Sequence, residues 1–409
     1  MDSETDSAAE QPKVPAGSAR EVLQAFLKLG LSCFGGPIAH IGYFRDEFVI
    51  RRRWLDEPSY ADLVALCQFL PGPASSKVGF SIGLMRAGYL GGLAAWTGFT
   101  LPSAVLLGLF AYGAGSLGGA IGSGLLHGLK LVAVAIVAQA VIGMARTLCP
   151  DRERGSIAVV AALIVLLATK SLAQVAAIAC GAVAGFVLCR NLPTPGKGNL
   201  AINVSKRVSL IAIAAFFILL AGLPVIRSTL DVPLFDLFSA FYHSGALVFG
   251  GGHVVLPLLR EAVVTPGWVS DEAFLAGYGA AQAVPGPLFT FAAYLGATAE
   301  PSQRLAGAAV GLIGIFLPGM LVLLGTLPWW STLRQRADAQ AAMRGVNAAV
   351  VGVLGAALYN PVWLTSVKAP ADFAVALVGF VLLQVWRAPP LVVVIVSACS
   401  GIALSLLAA

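Results

Sequence analysis

The chain has 409 residues, of which 58% are hydrophobic and only 11% are charged, and its mean hydropathy is +0.86. Soluble domains carry about 25% charged residues, so this composition excludes an ordinary soluble protein. The net charge of +6 comes from basic residues scattered along the chain; without a basic helix, it does not indicate a nucleic-acid partner. The six cysteines lack paired spacing, so neither a disulfide framework nor a metal or cofactor site is predicted.

Residues 1–20 are polar and lack the apolar core of a signal peptide. We expect them to form a disordered cytoplasmic tail. Apolar segments then follow one another, most of them close to the length of about 20 residues that crosses a bilayer. They predict an all-α polytopic protein of the inner (cell) membrane. These segments lie near 22–50, 60–87, 88–113, 122–145, 156–169, 171–189, 208–226, 234–258, 273–297, 305–327, 341–363, 371–383 and 390–408.

The second half of the chain repeats the first. "FLKLGLSCFGGP" (26–37) matches "FYHSGALVFGGG" (241–252), and "WLDEPSYADLVALCQFLPGP" (54–73) matches "WVSDEAFLAGYGAAQAVPGP" (268–287). The match predicts a duplicated unit, with one connecting helix that inverts the second copy relative to the first. Transporters are often built from such inverted repeats, with the substrate site at their interface. The predicted units are a first repeat at 21–190, a linker at 191–233 and a second repeat at 234–409.

Two segments of the first repeat are broken in the middle, at Gly35-Gly36-Pro37 and at Pro71-Gly72-Pro73. Each segment could be one interrupted span or a re-entrant hairpin. Loops on the cytoplasmic side are enriched in Lys and Arg, and hairpins place more of these residues on that side. The distribution favours hairpins, and both alternatives put the N-terminus in the cytoplasm and the C-terminus outside.

The second break is followed by Ser75, Ser76 and Lys77. Proline ends one helix and suits the first turn of the next, so the N-terminus of a half-helix would lie at membrane depth. Free N–H groups and the positive end of the helix dipole bind anions there. An intramembrane cation indicates function. The alternative is a structural kink, with Lys77 reaching toward an interface.

The first break predicts a similar half-helix that begins at Pro37 and carries His40. A glycine hinge for close helix packing is the alternative, and His40 is either a proton carrier, an anion ligand or a packed polar residue. Arg45 and Glu47 are expected to form an ion-pair group at the end of this segment. Glu261 occupies the position equivalent to Glu47 in the second repeat, so one of the two carboxylates could carry a proton and the other be structural. Because Glu47 lies in the cationic half beside Arg45, we expect its substitution by Gln to impair transport more than that of Glu261.

The second repeat keeps the breaks but lacks the cation. Leu288-Phe289-Thr290 stands where the first repeat has Ala74-Ser75-Ser76, and no lysine follows. The cationic half of the predicted site is therefore the N-terminal one. A glutamine precedes each proline break and could cap or line the site. The remaining candidate residues are Gln68, Gln282, Gly250, Gly251, Pro285, Gly286 and Pro287.

The sequence shows no ATP-binding, hydrolase or metalloprotease motif, so an enzyme is disfavoured and any pumping must use ion gradients. Carrier, uptake system and gated channel stay open at this level. Outward movement of a dianion from a negative interior is favourable by roughly 2 × 2.3 kcal/mol per 100 mV. Export of an oxyanion therefore needs no ATPase.

The ordered motifs "FGGP…GYFRDEFV…RRWL…QFLPGP" and "FGGGHVVLPLL…W…QAVPGP" resemble the long, two-domain form of the chromate ion transporter family. The resemblance covers roughly residues 20–405. It implies a carrier that exports chromate and confers resistance, with proton coupling as an option and the oligomeric state open. Chromate and sulfate are both tetrahedral dianions, so a sulfate-like substrate or sulfate uptake is the alternative. The family-typical positions are the glycines and prolines of the four breaks, with Arg45, Glu47, Gln68, Ser75 and Lys77.

Overall fold

The computed structural model describes residues 17–408, apart from positions 35, 115–118, 169–172, 191–201, 203, 228–231, 250–253 and 334. Most of the predicted tail and much of the predicted linker lie outside the described residues. The described part is helical and contains no strand. Within it, six helical stretches are long and apolar enough to span a membrane: Ala74–Gly113, Gly119–Leu148, Lys206–Arg227, Pro301–Leu333, Ala337–Ser366 and Pro390–Leu407.

In the first half, three short helices precede two long ones and two of 16 residues. A π-helical turn, Arg45–Arg51, extends α2, and non-helical backbone at Ala87 and Gly88 divides α4 into a first arm (74–86) and a second arm (89–114). The helices are α1 (Ala19–Ser32), α2 (Gly36–Phe44), α3 (Glu57–Phe69), α4 (Ala74–Ala114), α5 (Gly119–Leu148), α6 (Arg152–Leu167) and α7 (Ala173–Leu188).

The second half repeats this order after the connecting helix α8 (Lys206–Arg227). Short 3-10 turns at Leu288–Thr290, Pro301–Gln303 and Leu327–Trp329 and a π-helical turn at Leu358–Trp363 join its helices. These are α9 (Pro233–Ala246), α10 (Val255–Val263), α11 (Asp271–Ala283), α12 (Phe291–Ala299), α13 (Arg304–Thr326), α14 (Trp330–Leu333), α15 (Ala337–Ala357), α16 (Leu364–Ser366), α17 (Pro370–Gln384) and α18 (Pro390–Ala408).

Helices α3 and α11 begin with the same kind of N-cap. Asp56 caps α3 by accepting a hydrogen bond from the Ser59 N–H at 2.8 Å, and Ser270 caps α11 by accepting one from the Ala273 N–H at 3.1 Å. Each cap follows the repeated tryptophan by two residues. A side-chain acceptor at this position satisfies one of the free N–H groups of the first turn. Equivalent sequence positions of the two repeats therefore cap equivalent helices.

The first broken segment is a re-entrant hairpin. Helix α1 has 14 residues, which gives a length of about 21 Å, too short for a bilayer of about 30 Å. The Phe26 ring lies 5.5 Å from that of Phe44 and 4.8 Å from that of Phe48. A straight helix would separate Phe26 from Phe44 by about 27 Å along its axis. The chain therefore reverses at the break.

Both hairpins of the first repeat share one base. Glu21, near the start of α1, accepts from Arg86 at 3.2 Å and lies 3.9 Å from Arg52. The guanidinium groups of Arg52 and Arg86 lie 5.3 Å and 5.0 Å from the centre of the Trp54 ring. These residues belong to the outer ends of both hairpins. The chain therefore enters and leaves both from one side of the membrane, as the charge distribution favoured.

The second repeat folds in the same way. Phe274 in α11 and Phe291 in α12 have ring centres 5.2 Å apart, and the Tyr294 hydroxyl donates to the Ala273 carbonyl at 3.0 Å. The Ser244 hydroxyl of α9 lies 3.4 Å from the Leu258 carbonyl of α10. Each pair contacts across a proline or glycine break, so both segments are hairpins.

The two hairpin bases lie on opposite sides of the molecule. The second arm of α4 starts beside the base of the first repeat and ends beside Arg304, at the base of the second. Arg304 donates to the Ala111 carbonyl at 3.5 Å and lies over the Tyr112 ring at 5.1 Å. From residue 89 to residue 112 the arm rises about 35 Å, which is the thickness of a bilayer. The repeats are therefore inverted, as predicted.

The two ends of the described chain also lie on opposite sides. The Gly17 N–H donates to the Arg86 carbonyl at 2.9 Å, at the base of the first repeat. Ser405, near the end of α18, lies 3.4 Å from Ser123 at the start of α5, and α5 follows the far end of α4. An odd number of crossings therefore separates the two ends.

We expect single cysteines at Ser59 and at Ser302 to react from opposite sides of the membrane, because these residues lie at the two hairpin bases. In a cysteine-free parent, a membrane-impermeant maleimide should label S302C in intact cells and S59C only after permeabilisation. The unsubstituted parent controls for background. Labelling of both positions from one side would contradict the inverted arrangement.

Candidate functional site

The tips of the four hairpins meet at the interface of the repeats. The Gly72 N–H, in the second hairpin of the first repeat, donates to the Val248 carbonyl at 2.7 Å. The Gly286 N–H donates to the Cys33 carbonyl at 2.8 Å. Each proline-flanked tip thus pairs with the glycine-rich tip of the other repeat. We call this reciprocal contact the tip junction.

Glycine is required at both centres of the tip junction. Gly72 has φ of +94° and Gly286 has φ of +100°, values that side chains rarely allow. A Cβ atom on Gly72 would lie 2.8 Å from the Gly319 Cα, and one on Gly286 would lie 2.8 Å from the Ser103 Oγ. Each tip therefore packs against the long helix of the opposite repeat, next to its internal proline.

The half-helix that follows Pro73 presents free N–H groups. Its first helical hydrogen bond runs from the Lys77 N–H to the Pro73 carbonyl at 3.0 Å, so the N–H groups of Ala74, Ser75 and Ser76 precede the helical pattern. Both serines are 2% exposed. This is the buried helix N-terminus that the sequence predicted.

His40 joins this half-helix from the first hairpin. It is fully buried, its Nδ1 lies 3.4 Å from the Ser75 Oγ, and its ring packs edge-on against Phe99 at 5.1 Å. Within the described residues, His40 Nε2 and Ser76 Oγ have no hydrogen-bond partner. Buried polar atoms are nearly always bonded, so this pair has capacity for a polar ligand.

Lys77 is fully buried, but it points back at the tip. Its ammonium donates to the Leu70 carbonyl at 2.6 Å and to the Pro71 carbonyl at 2.8 Å. These carbonyls lie at the negative end of α3, and the lysine charge offsets that dipole. At this break, the positive dipole end of the half-helix after Pro73 is therefore left without an opposing negative end. Two of the three ammonium N–H groups are used by these carbonyls, and the side chain does not reach toward a membrane interface.

The second repeat has an apolar counterpart of this site. Phe291 stands in place of Lys77 and packs against Phe274 and Tyr278, with ring centres 5.2 Å and 5.9 Å apart. The Thr290 hydroxyl donates to the Pro287 carbonyl at 2.7 Å, so it is already bonded within its own turn. The chemical asymmetry that the sequence predicted is therefore present at the tips.

The glutamines before the breaks differ. Gln68 lies on an exposed face of α3, whereas Gln282 is half-buried, and its Nε2 has no partner among the described residues. At the first break, Gly36 has φ of +78°, and Pro37 follows it in the first turn of α2. Gly35, Gly250 and Gly251 lie outside the described residues.

In the described structure, Arg45 and Glu47 do not pair with each other as expected. Arg45 donates to Glu57 at 2.7 Å, and Glu47 accepts from Arg52 at 2.6 Å and from Arg51. Side chains two residues apart on a helix point in different directions, so the prediction was wrong for a local reason. The Glu47 side chain is 11% exposed and holds the hairpin base together.

Helix α4 also contributes to the site beyond its kink, which the predicted site residues did not include. Phe99 contacts His40, and Ser103 packs against Gly286. Thr100 is 1% exposed, and its hydroxyl has no partner within the described chain. The repeated Leu101-Pro102 and Leu317-Pro318 motif was the one sequence signal that marked this region.

Inverted repeats with re-entrant hairpins, together with a buried helix N-terminus at their interface, define a multi-pass membrane transporter. Comparison with known families narrows the class. The family model "Chromate transporter" matches residues 20–186 and again residues 235–402. The chain therefore belongs to the chromate transporter family, in a form that contains the family unit twice.

Two curated chromate transport proteins match over most of the chain, and a shorter relative matches part of it. The chromate transport protein of Pseudomonas aeruginosa is 27% identical over 96% of this chain and 94% of its own length. The chromate transport protein of Cupriavidus metallidurans is 24% identical over 87% of this chain and 85% of its own. An uncharacterized transporter of Bacillus subtilis is 32% identical, but covers 40% of this chain and 84% of its own length. No solved structure matches the chain.

We expect G72A and G286A each to impair transport at least tenfold and to lower the melting temperature in detergent, because the left-handed backbone costs about 1–3 kcal/mol for a non-glycine residue and the Cβ would collide with the opposite repeat. G108A, where a Cβ meets open space within a helix, is the matched control and should behave like the unsubstituted protein. Normal activity of G72A and G286A would show that the tip junction does not need close backbone contact.

Proposed function

We propose that this protein is a secondary carrier that exports chromate from the cytoplasm and thereby gives resistance to chromate. The tip junction carries this proposal, because it brings the helix N-terminus at Ser75 and Ser76 and the unpartnered His40 nitrogen to the repeat interface. Family membership supports chromate as the substrate, since the full-length relatives are chromate transport proteins. Export follows from charge: a dianion leaves a negative interior spontaneously.

The site recognises a tetrahedral oxyanion by several converging donors. The free N–H groups of the first turn after Pro73, the hydroxyl of Ser76 and the Nε2 of His40 can each donate a hydrogen bond. A hydrogen bond to a charged group contributes about 1.5–3 kcal/mol, and the dipole of the half-helix adds to it. Lys77 removes the opposing dipole of α3. The same donors suit sulfate, so a sulfate-like anion is the competing substrate.

Alternating access follows from the two hairpin bases. The bases lie on opposite faces, and the hairpin tips meet between them. Rocking of one repeat against the other around the tip junction would open the site first to one side and then to the other. In the proposed orientation the N-terminus and the base of the first repeat face the cytoplasm, and the base of the second repeat faces outward. Counter-movement of protons would make the carrier an antiporter.

The direct test is chromate uptake into inverted membrane vesicles, which corresponds to export from cells. Vesicles that contain the protein should accumulate radiolabelled chromate in response to an inside-positive potential, with saturation kinetics and weaker competition by sulfate. Vesicles without the protein are the control. Stronger binding and faster movement of sulfate than of chromate would favour the alternative substrate, and unsaturable flux would favour a channel.

For Lys77 we expect K77A to weaken chromate affinity by roughly ten- to a hundredfold or to abolish transport, because two buried carbonyls lose their charged donor, an effect of about 1.5–3 kcal/mol. K77R should keep partial function, since the charge survives in a longer, planar group. S75A should lose least, because backbone N–H groups remain. Uptake by inverted vesicles at matched protein levels measures this order.

The matched control for Lys77 is K28A, which removes an exposed lysine from α1. It should transport like the unsubstituted protein. If K77A also transports normally, the anion does not bind at the tip junction.

A further inference from the structure

A second polar region lies at the outward end of the second repeat, away from the tip junction. A cavity of about 500 Å³ opens between helices α7, α8, α9 and α10. Its wall is polar in part, which is unusual at the surface of a membrane-spanning helix bundle. The polar lining residues are Gln174, Arg227, Ser239, His243, Ser244, Glu261 and Thr265.

His243 has an unusual set of partners in this cavity. Its Nδ1 lies 2.9 Å from the Ser239 carbonyl, and its Nε2 lies 2.9 Å from the Leu220 carbonyl. Carbonyl oxygens only accept hydrogen bonds, and a neutral imidazole has a single N–H. Both contacts are therefore satisfied only when both ring nitrogens carry a proton. A neutral ring would turn a lone pair toward one carbonyl oxygen.

Among the described residues, Glu261 is the carboxylate that lines this cavity. Arg227 of α8 lies 3.3 Å from Asp236 of α9, and Arg260 of α10 pairs with Asp271 at 2.7 Å. Glu261 lines the cavity, and its described contact is a hydrogen bond from the Thr265 hydroxyl at 3.2 Å. Helix α7 contributes the neutral Gln174.

The equivalent carboxylate of the first repeat is in a different state. Glu47 is held by Arg51 and Arg52, so it is neutralised and fixed. The two repeats therefore differ at both ends of their hairpins. The first repeat has a cation at its tip and an ion-paired carboxylate at its base. The second repeat has an apolar tip and a carboxylate that faces a cavity.

We propose that His243 binds the proton that is exchanged for the anion, with Glu261 as its counter-charge across the cavity. This inference rests on the proposed function and assigns the coupling ion and its site. In the proposed orientation the cavity lies on the outer side, where the proton enters.

A short structural path connects His243 to the anion site. His243 lies in the last turn of α9, and its backbone carbonyl accepts from the Leu247 N–H at 3.2 Å. The next residue, Val248, accepts the tip hydrogen bond from Gly72. A protonated His243 ties α9 to α8 through the Leu220 carbonyl, and a neutral ring whose single N–H is on Nδ1 lacks that tie. The proton therefore biases the position of the tip that pairs with Gly72.

The test uses the purified full-length protein in liposomes that contain a pH-sensitive dye. Chromate movement out of the liposomes should be accompanied by proton movement inward, and chromate flux should change severalfold with the pH of the medium. H243Q should lose the proton movement and the pH dependence while chromate still moves down its gradient. H127Q, which alters a histidine paired with Asp372 between α5 and α17, is the matched control and should keep both.

A second variant keeps the test decisive if H243Q does not fold. E261Q removes the counter-charge, so protonation should require a higher proton concentration and the pH profile of chromate flux should shift toward lower pH. Chromate flux without proton movement in the unsubstituted protein, retained proton movement in H243Q, or an unshifted profile in E261Q would each overturn the inference and leave chromate transport intact. Absence of chromate flux in the unsubstituted protein would overturn the proposed function and this inference with it.

Discussion

The structure depends on the need to satisfy backbone polar groups inside a bilayer. Helices that end at membrane depth leave N–H and C=O groups that cost several kcal/mol each without a partner. Here the hairpin tips satisfy one another: Gly72 donates to Val248, and Gly286 donates to Cys33. Neither repeat can complete its own tips in this way. The tip junction therefore joins the two repeats, and it lies where we propose that the anion binds.

Duplication gives this protein two similar halves with different chemistry. In the first half Lys77 cancels the dipole of α3, so the half-helix after Pro73 offers a net positive end. In the second half Phe291 fills the equivalent space within an aromatic cluster. At the hairpin bases the difference between the halves is reversed. Glu47 of the first half is neutralised by an ion pair, whereas Glu261 of the second half lines a cavity. The proposed anion site and the proposed proton site therefore lie in different halves, which alternating access would expose to opposite sides of the membrane in turn.

Helix ends determine most of this arrangement. Proline and glycine place the breaks, and the caps at Asp56 and Ser270 place the helices that lead into them. The aromatic and cationic contacts at Trp54 hold the outer ends of the first two hairpins. The second arm of α4 and helix α13 then span the membrane. Each of them packs against the tip of the opposite repeat.

The sequence by itself determined the helical membrane class, the duplication, its inversion and the positions of the breaks, since hydrophobic length, repeated motifs and proline are local properties of the chain. It also located the buried half-helix at Ser75. Only the tertiary structure decided that the broken segments reverse, that Lys77 binds the tip carbonyls, and that Glu47 pairs with Arg51 and Arg52 instead of Arg45. It alone revealed the double carbonyl contact of His243. These outcomes depend on which residues from distant segments meet, and a local pattern does not specify the partner across a hairpin or across a repeat interface.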